Sequence, residues 1–494
     1  MTGHGAAVLD RYEAVIGIEV HCQLRTASKM FCGCSTEYDG APPNSHCCPV
    51  CLGLPGALPV INRLAVEHVI ATGLAIEAGI PEHTQWERKN YFYPDLPKGY
   101  QISQYAIPLA AHGRLAIETS AGPFTVAIRR AHLEEDTAKL HHGHGPKEAA
   151  GRTTLVDFNR SGAPLMEIVT EAELHTAEQA RRYAEELQLL LRAIGVSDAD
   201  MERGQMRVEA NVSLRPRGTE PFGTRVEVKN MNSFRAVERA IDYEIKRQGR
   251  ALDAGEPLFM ETRGWDDGSQ ATYRMRSKET SEDYRYFPEP DLPPLHVHAA
   301  WVARMREALP ELPAARRARY AGLGLSPYDA AVLVADPSMT TAFEAIMAAG
   351  DVPAKEVANF VTGAHARAAK DAGISAAGMA GSSRPGDIAA LLGAIVRGTV
   401  SRPVGRELLD RHLADGTPAG ELLASAGPGP ISDDGALLEH VDAVIDANPK
   451  AVSDYRAGRP VAGFLVGQVM KSTGGAADAA RVAALVNSRL EGGS

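Results

Sequence analysis

The sequence contains no Gly-Lys dipeptide, and so no Walker A loop for nucleotide phosphates. It has neither a G-x-S-x-G elbow nor an H-E-x-x-H helix, which removes the hydrolase and zincin chemistries those motifs carry. Gly381-Ser-Ser383 runs on into Arg384-Pro385 rather than a glycine-rich loop, so any amide hydrolysis belongs to another chain. No apolar run reaches the ~18 residues a membrane helix needs. Met1 to Asp10 shows neither a basic start nor an apolar core, so no signal peptide, no membrane and a cytoplasmic location are expected. Cysteine is scarce, at six in 494 residues, too few for a disulfide scaffold. Excess positive charge is missing as well. A net charge of −10 excludes a chain coated in basic surface for any nucleic acid and leaves room only for a local patch.

What is present is long enough for more than one core, since single cores stop growing near ~250–300 residues. Residues 1–294 mix short alternating strands with a few strong helices. A helix is expected over 62–78, stopped by Gly79 and Pro81, and a second begins at the capping-box pair Thr176 and Gln179 and runs to Gly195. After Asp291-Leu-Pro-Pro294 the composition turns to Ala, Leu, Arg and Glu at helical spacing. A further break is expected near Gly373 to Gly386, and 461–490 reads as two short helices around a Gly474-Gly475 turn. The expected architecture is α+β. A mixed or antiparallel-sheet domain (1–294) precedes an all-α helical domain (295–385) and a small α-helical tail (386–494).

Side chains alternate across a strand, so Val15-Ile-Gly-Ile-Glu-Val-His21 places Glu19 and His21 on one face. Arg207-Val-Glu-Ala-Asn-Val-Ser-Leu-Arg215 aligns Arg207, Glu209, Asn211, Ser213 and Arg215. Arg225-Val-Glu-Val-Lys229 aligns Arg225, Glu227 and Lys229. The short, glycine-containing link between these two predicts an antiparallel pair. Oxygen ligands beside Arg and Lys suit Mg²⁺ and a polyphosphate. The same pattern suits a solvated sheet laced with cross-strand ion pairs. Three consecutive acids, Glu134, Glu135 and Asp136, follow His132 and repel one another unless a cation pairs them. All six cysteines lie between Cys22 and Cys51. Cys32-Gly-Cys34 and Cys48-Pro-Val-Cys51 form a C-x-C…C-x-x-C pattern suited to structural Zn²⁺, with His46 and Cys47 as substitute ligands and Cys22 read as packing.

The chain resembles the B subunits of the aspartyl/glutamyl-tRNA amidotransferases, the GatB family. The matching segments include Gly17-Ile-Glu-Val-His21, Phe31-Cys-Gly-Cys34, Cys48-Pro-Val-Cys-Leu-Gly-Leu-Pro-Gly56 and Arg88-Lys-Asn-Tyr-Phe-Tyr-Pro-Asp95. His132-Leu-Glu-Glu-Asp136, Asp157-Phe-Asn-Arg-Ser-Gly-Ala-Pro-Leu165, Tyr284-Arg-Tyr-Phe-Pro-Glu-Pro-Asp291 and Gly463-Phe-Leu-Val-Gly-Gln-Val-Met-Lys471 continue it to the tail.

The resemblance implies an ATP-dependent carbon–nitrogen ligase in a heterotrimer, completed by an amidase (glutaminase) chain and a small linking chain. ATP and Mg²⁺ phosphorylate the side-chain carboxylate of Glu-tRNA(Gln) or Asp-tRNA(Asn), and ammonia from the amidase displaces the phosphate. It also implies Mg²⁺ ligands at Glu19, His21, Glu134, Glu135, Glu209 and Glu227. Arg88, Lys89, Lys98, Arg207 and Lys229 are candidates for phosphate or carboxylate contacts, and a structural zinc falls at Cys32, Cys34, Cys48 and Cys51. The family has Asp more often than Glu at position 209, and Arg481 or Arg489 stand near a lysine-poor tail. Two other readings remain: a non-catalytic tRNA-binding scaffold of the same complex, and a free-standing carboxylate ligase, which has little use for a helical tail.

Overall fold

The computed structural model describes residues 8–143, 153–277, 283–426, 434–474 and 477–492. The chain divides into two compact units, Met1–Leu312 and Pro313–Ser494. Among the described residues no helix is long and apolar enough to cross a membrane.

The first unit is built on strands β1 (Tyr12–Gln23), β2 (His83–Thr84), β3 (Glu87–Asn90), β4 (Tyr100–Ser103), β5 (Ala110–Thr119), β6 (Gly122–Glu135), β7 (Lys139–His142), β8 (Thr154–Asp157) and β9 (Pro164–Thr170). They continue as β10 (Met206–Pro216), β11 (Val226–Met231), β12 (Glu261–Asp266), β13 (Ala271–Ser277), β14 (Phe287–Pro288) and β15 (Leu295–His296). Eight of them form one sheet in the order β13-β12-β11-β10-β1-β9-β6-β5. Its neighbours run antiparallel except β11 and β12, which are parallel. The antiparallel pairing of β10 with β11 is the one the short link between them predicts.

The alternation that makes these strands also makes the layers. Along β1, Ile16, Ile18, Val20 and Cys22 are buried on one face. Helices Ala177–Ala193 and Phe234–Asp253 cover that face, joined by helix Arg63–Ala75 against β5 and β6. Burying each such aliphatic side chain contributes about 1.5–3 kcal/mol, so Ile18→Ala is expected to cost about 2–5 kcal/mol with its cavity. The opposite face is left for polar side chains.

The expected capping box is present. Thr176 Oγ1 accepts from the Gln179 N–H at 3.1 Å, and Gln179 Oε1 accepts from the Thr176 N–H at 3.1 Å. The first helix starts as expected, with Asn62 Oδ1 accepting from the Leu64 N–H at 3.0 Å, but it ends at Ala75 rather than at 78. Glu77 adopts a left-handed φ of 56°, and the Ala78 N–H donates back to the Gly73 carbonyl at 2.7 Å, which closes the helix one turn early.

The first unit continues past Pro294. Helix Ala299–Glu307 packs Trp301, Val302 and Met305 against the same core, which takes the unit to Leu312. The second unit is helical. Helices Ala376–Ser382 and Pro385–Val396 both pack on helix Pro337–Ala349, so packing continues across the stretch from Gly373 to Gly386. Helices Asp434–Ala447, Ala462–Ser472 and Ala479–Gly492 share a separate small core of Leu437, Val441, Leu465, Val469, Val482 and Val486. The two expected C-terminal helices are therefore present; Gly475 of the turn between them lies outside the described residues.

Candidate active site and thiol cluster

Register on the central strands decides which polar side chains meet. His21 on β1 faces Arg207 on β10 and Glu167 on β9, and Glu167 in turn faces His132 on β6. Glu19 pairs with Glu209, and Asn211 with Glu227. A row of imidazoles and carboxylates thus crosses the sheet on its uncovered face. A smaller sheet, β14-β3-β4, and the segment holding Tyr284 and Tyr286 wall it in. The result is a basin of about 1550 Å³ of empty space.

At its floor, His21 Nε2 lies 3.4 Å from Glu134 Oε1, 3.4 Å from Glu167 Oε2 and 3.6 Å from Glu19 Oε1. His132 Nε2 lies 3.6 Å from the same Glu167 oxygen. Donor atoms of Glu19, His21 and Glu167, and of His132, Glu134 and Glu167, fall within 4.8 Å of one another. His21 Nδ1, His132 Nδ1 and Glu134 Oε2 are buried without a hydrogen-bond partner. Orphaned buried polar atoms carry a cost of about 1–3 kcal/mol each, and of these the Glu134 oxygen is the kind of donor a hard divalent cation takes.

The electrostatics follow from crowding. Burial and the neighbouring Glu167 push the Glu19 carboxyl up to about 7. Burial and Glu167 also push Glu134 upward. Burial opposes a charge on His21, but the hydrogen bond and charge of Glu167, joined by Glu134 and Glu19, lift it to about 9. His132 is pulled down to about 4 by burial. Burial works against Glu167 too, but His132, His21 and Lys89 outweigh it and hold this carboxyl well below the usual range. A divalent cation displaces the proton-based charge balance such a site otherwise needs.

The residues expected from sequence divide. Glu19, His21, Glu134, Lys89, Arg207, Glu209, Glu227 and Lys229 all line the basin. Arg207 forks onto Asp136, at 3.2 and 3.3 Å, and Lys229 Nζ lies 2.7 Å from Glu209. Glu227 accepts from the Thr262 hydroxyl at 2.7 Å. Glu135 does not line the basin. As the next residue on β6 it points to the other side, where it pairs with Lys98 and accepts from the Ile102 N–H at 3.0 Å. Lys98 is engaged there with it, beside Cys32 and Cys51. Arg88 is also set apart, clamped by Glu289 through two 2.8 Å hydrogen bonds and stacked over Tyr100 at 4.1 Å. Glu167 and His132 are the residues that sequence reasoning did not assign. A single acid in the apolar strand Pro164–Thr170, and a histidine two positions before Glu134, were the available signals.

The four cysteines of the C-x-C and C-x-x-C pairs converge, with their sulfurs within 4.8 Å of one another. Cys51 Sγ stands 3.8 Å from Cys48 Sγ and accepts from the Cys48 N–H at 3.1 Å. A tetrahedral site with Zn–S bonds of about 2.3 Å has sulfur–sulfur edges of about 3.8 Å, so the set fits zinc. The Cys51 thiol is pulled down to about 4, first by its hydrogen bond with Cys32, while Cys34 is pushed up to about 11 by burial. Neither Cys47 nor His46 belongs to the cluster; the His46 carbonyl instead accepts from Lys29. Cys22 packs in the core, its thiol 3.0 Å from the Ser197 hydroxyl.

A sheet whose covered face holds the core and whose open face holds an acid–imidazole row, followed by a helical unit, defines an α+β protein with a polar basin on its sheet. Comparison with known proteins places that architecture. Residues 14–303 match the family model described as the GatB/GatE catalytic domain, and residues 341–490 match the GatB domain. The aspartyl/glutamyl-tRNA(Asn/Gln) amidotransferase B subunit of Picosynechococcus sp. is 46% identical, covering 97% of this chain and 98% of its own length. The proteins of the same name from Roseiflexus sp. and Moorella thermoacetica are 48% and 47% identical, over 94% and 97% of this chain and 96% and 100% of theirs. The chain belongs to the GatB family, the B subunits of tRNA-dependent amidotransferases.

Proposed function

We propose that the basin activates the side-chain carboxylate of Glu-tRNA(Gln), Asp-tRNA(Asn) or both with ATP, and that ammonia from a partner amidase then converts it to the amide. The observation that carries this is the convergence of His21, Glu19, Glu134 and Glu167 with buried donor atoms left unpartnered. A carboxylate is a poor acyl donor because oxide is a poor leaving group. Its oxygen attacks the γ-phosphorus as the bond to ADP breaks; the nitrogen of ammonia then attacks the acyl carbon, phosphate leaves and a proton is lost.

Mg²⁺, when bound, would be held by Glu19, His21, Glu134 and Glu167, and supplies neutralisation of the charge gathering between ATP and carboxylate. Lys89 is suited to orient an anionic group. Burial works against its charge, but Glu134 and other neighbours outweigh that and keep it protonated. Arg207 and Lys229 are already engaged by Asp136 and Glu209, so they hold the walls of the basin and place its acids. In the same reading Cys32, Cys34, Cys48 and Cys51 hold a structural Zn²⁺, and the chain works in the cytoplasm in a heterotrimer with the amidase and the small linking chain. The sheet-bearing catalytic part is then the first unit, to Leu312, and the helical and tail parts lie in the second.

His21→Ala in the assembled trimer tests the assignment. We expect the variant to bind misacylated tRNA as the parent does and to lose at least about 10³-fold in ATP-dependent amidation. Amidation at the parent rate overturns the catalytic reading and favours the scaffold.

A further inference from the structure

Lys29 is 0% exposed, and its ammonium is accounted for only in part. Nζ donates to the His46 carbonyl at 2.8 Å and to the Phe158 carbonyl at 3.4 Å. Among the described residues no carboxylate forms an ion pair with it. Two carbonyl dipoles do not replace the hydration of an ammonium. A buried charge is stable only when paired or otherwise compensated.

Its surroundings point to the compensation. The Lys29 N–H donates to the Cys34 carbonyl at 2.9 Å, and the His46 carbonyl that receives Nζ lies two residues before Cys48. At Gly162 a methyl group would come within 3.4 Å of Cys51 Cβ, 3.6 Å of Lys29 Cδ and 3.9 Å of Glu135 Oε2, a carboxylate that Lys98 already engages, so the lysine stem and Cys51 flank the same point. The buried ammonium therefore sits beside the sulfur cluster from backbone to tip. Four thiolates around one Zn²⁺ carry a net charge of about −2, which itself needs a cation when placed out of water.

We propose that Lys29 is the counter-charge of the four-cysteine metal site, a positioning residue whose ammonium stabilises the tetrathiolate and ties its two cysteine pairs to the turn at Phe158. Ion and lysine solve each other's desolvation. The metal site offsets the cost of burying the ammonium, and the ammonium offsets half the excess charge of the site. The inference rests on the zinc reading given above.

The experiment is zinc retention against an excess of a colorimetric chelator, read on the trimer. The parent is expected to contain one zinc. Parent protein without zinc overturns the metal reading and the counter-charge with it. With zinc present in the parent, Lys29→Met is expected to release it about 10–100-fold faster, while Lys29→Arg, which keeps the charge, stays within about threefold. Retention by Lys29→Met at the parent rate overturns the counter-charge alone.

A packing role is separated from a charge role by exchanging one thiolate for a neutral ligand. Cys34→His lowers the negative charge of the site by one. It is expected to weaken retention in the parent background but to restore retention, or folding if Lys29→Met fails to fold, in the Lys29→Met background. Additive effects, or no rescue of an unfolded Lys29→Met protein, overturn the proposal.

Discussion

The thiol cluster and the basin floor belong to the same unit, and each brings metal-type donors within 4.8 Å, yet they are finished differently. Around the cysteines the donors are closed upon themselves: Cys48 and Cys51 contact each other through both sulfur and backbone, and Lys29 seals the back. At the basin floor, His21, His132 and Glu134 keep donor atoms with no partner at all, and the space above them is open. A closed set of ligands stabilises a fold, whereas an incomplete set leaves a position for what arrives from solution. The difference is one of satisfaction, not of residue type.

That contrast is sharpest when each site is damaged in turn. Glu19→Gln keeps the shape of a floor acid whose charge burial and Glu167 already disfavour, so amidation is expected to fall by about 10²–10⁴-fold with Tm within about 2 °C of the parent. Cys48→Ser with Cys51→Ser removes the zinc set and is expected to lower Tm by about 5–10 °C, with the ATP-dependent step of the surviving folded protein nearly intact. Steady-state amidation and calorimetry on the same preparations decide it. Reversal of the two phenotypes would mean that the acid row is the structural element.

Neighbouring acids on β6 provide a finer version of the same comparison. Glu134 faces like charges and has an unpartnered oxygen, while the buried Glu135 pairs with the half-buried Lys98. Glu134→Gln relieves repulsion and is expected to leave Tm unchanged or raised while weakening the apparent affinity for Mg²⁺ at least about tenfold. Glu135→Gln removes the partner of a half-buried ammonium, a change that costs somewhat less than the ~3–5 kcal/mol of breaking a fully buried pair, so Tm falls while the Mg²⁺ dependence of ATP cleavage holds. A Mg²⁺ titration that moves with Glu135 and not with Glu134 would sink this division.

These two glutamates also show where sequence stops. Alternation within one strand correctly grouped Glu19 with His21, and Glu209 with Arg207, because the period of two is a local property of the backbone. The same rule separates Glu134 from Glu135, which the resemblance had placed in one ligand set. Glu167 stayed hidden because its partners come from register. It faces His21 and His132 only once β9 is inserted between β1 and β6, and no local pattern specifies that order. Arg88 was misgrouped for a related reason: its partner Glu289 lies 201 residues away in sequence. The cysteines were legible since their short spacings nearly dictate the pairs.

The smallest effect sharpens the comparison from outside the first unit. His365, at the end of the π-helical turn Val361–His365, is buried with both ring nitrogens unpartnered. His21 also has an orphan nitrogen, but acids surround it and lift it to about 9, whereas burial alone pulls His365 down to about 4. Unfolded, His365 returns to about 6.5. Between those two values the unfolded chain binds the extra proton and the folded chain does not, so stability rises with pH there. The contribution of His365 is complete above pH 6.5, declines as pH falls towards 4 and is then fully lost. Calorimetry of the full chain between pH 7 and 4 should therefore show a fall in the Tm of the helical transition that His365→Leu makes shallower. Identical slopes for parent and variant would place the proton elsewhere, and an orphan imidazole nitrogen would then no longer separate a neutral packed histidine from one awaiting a ligand.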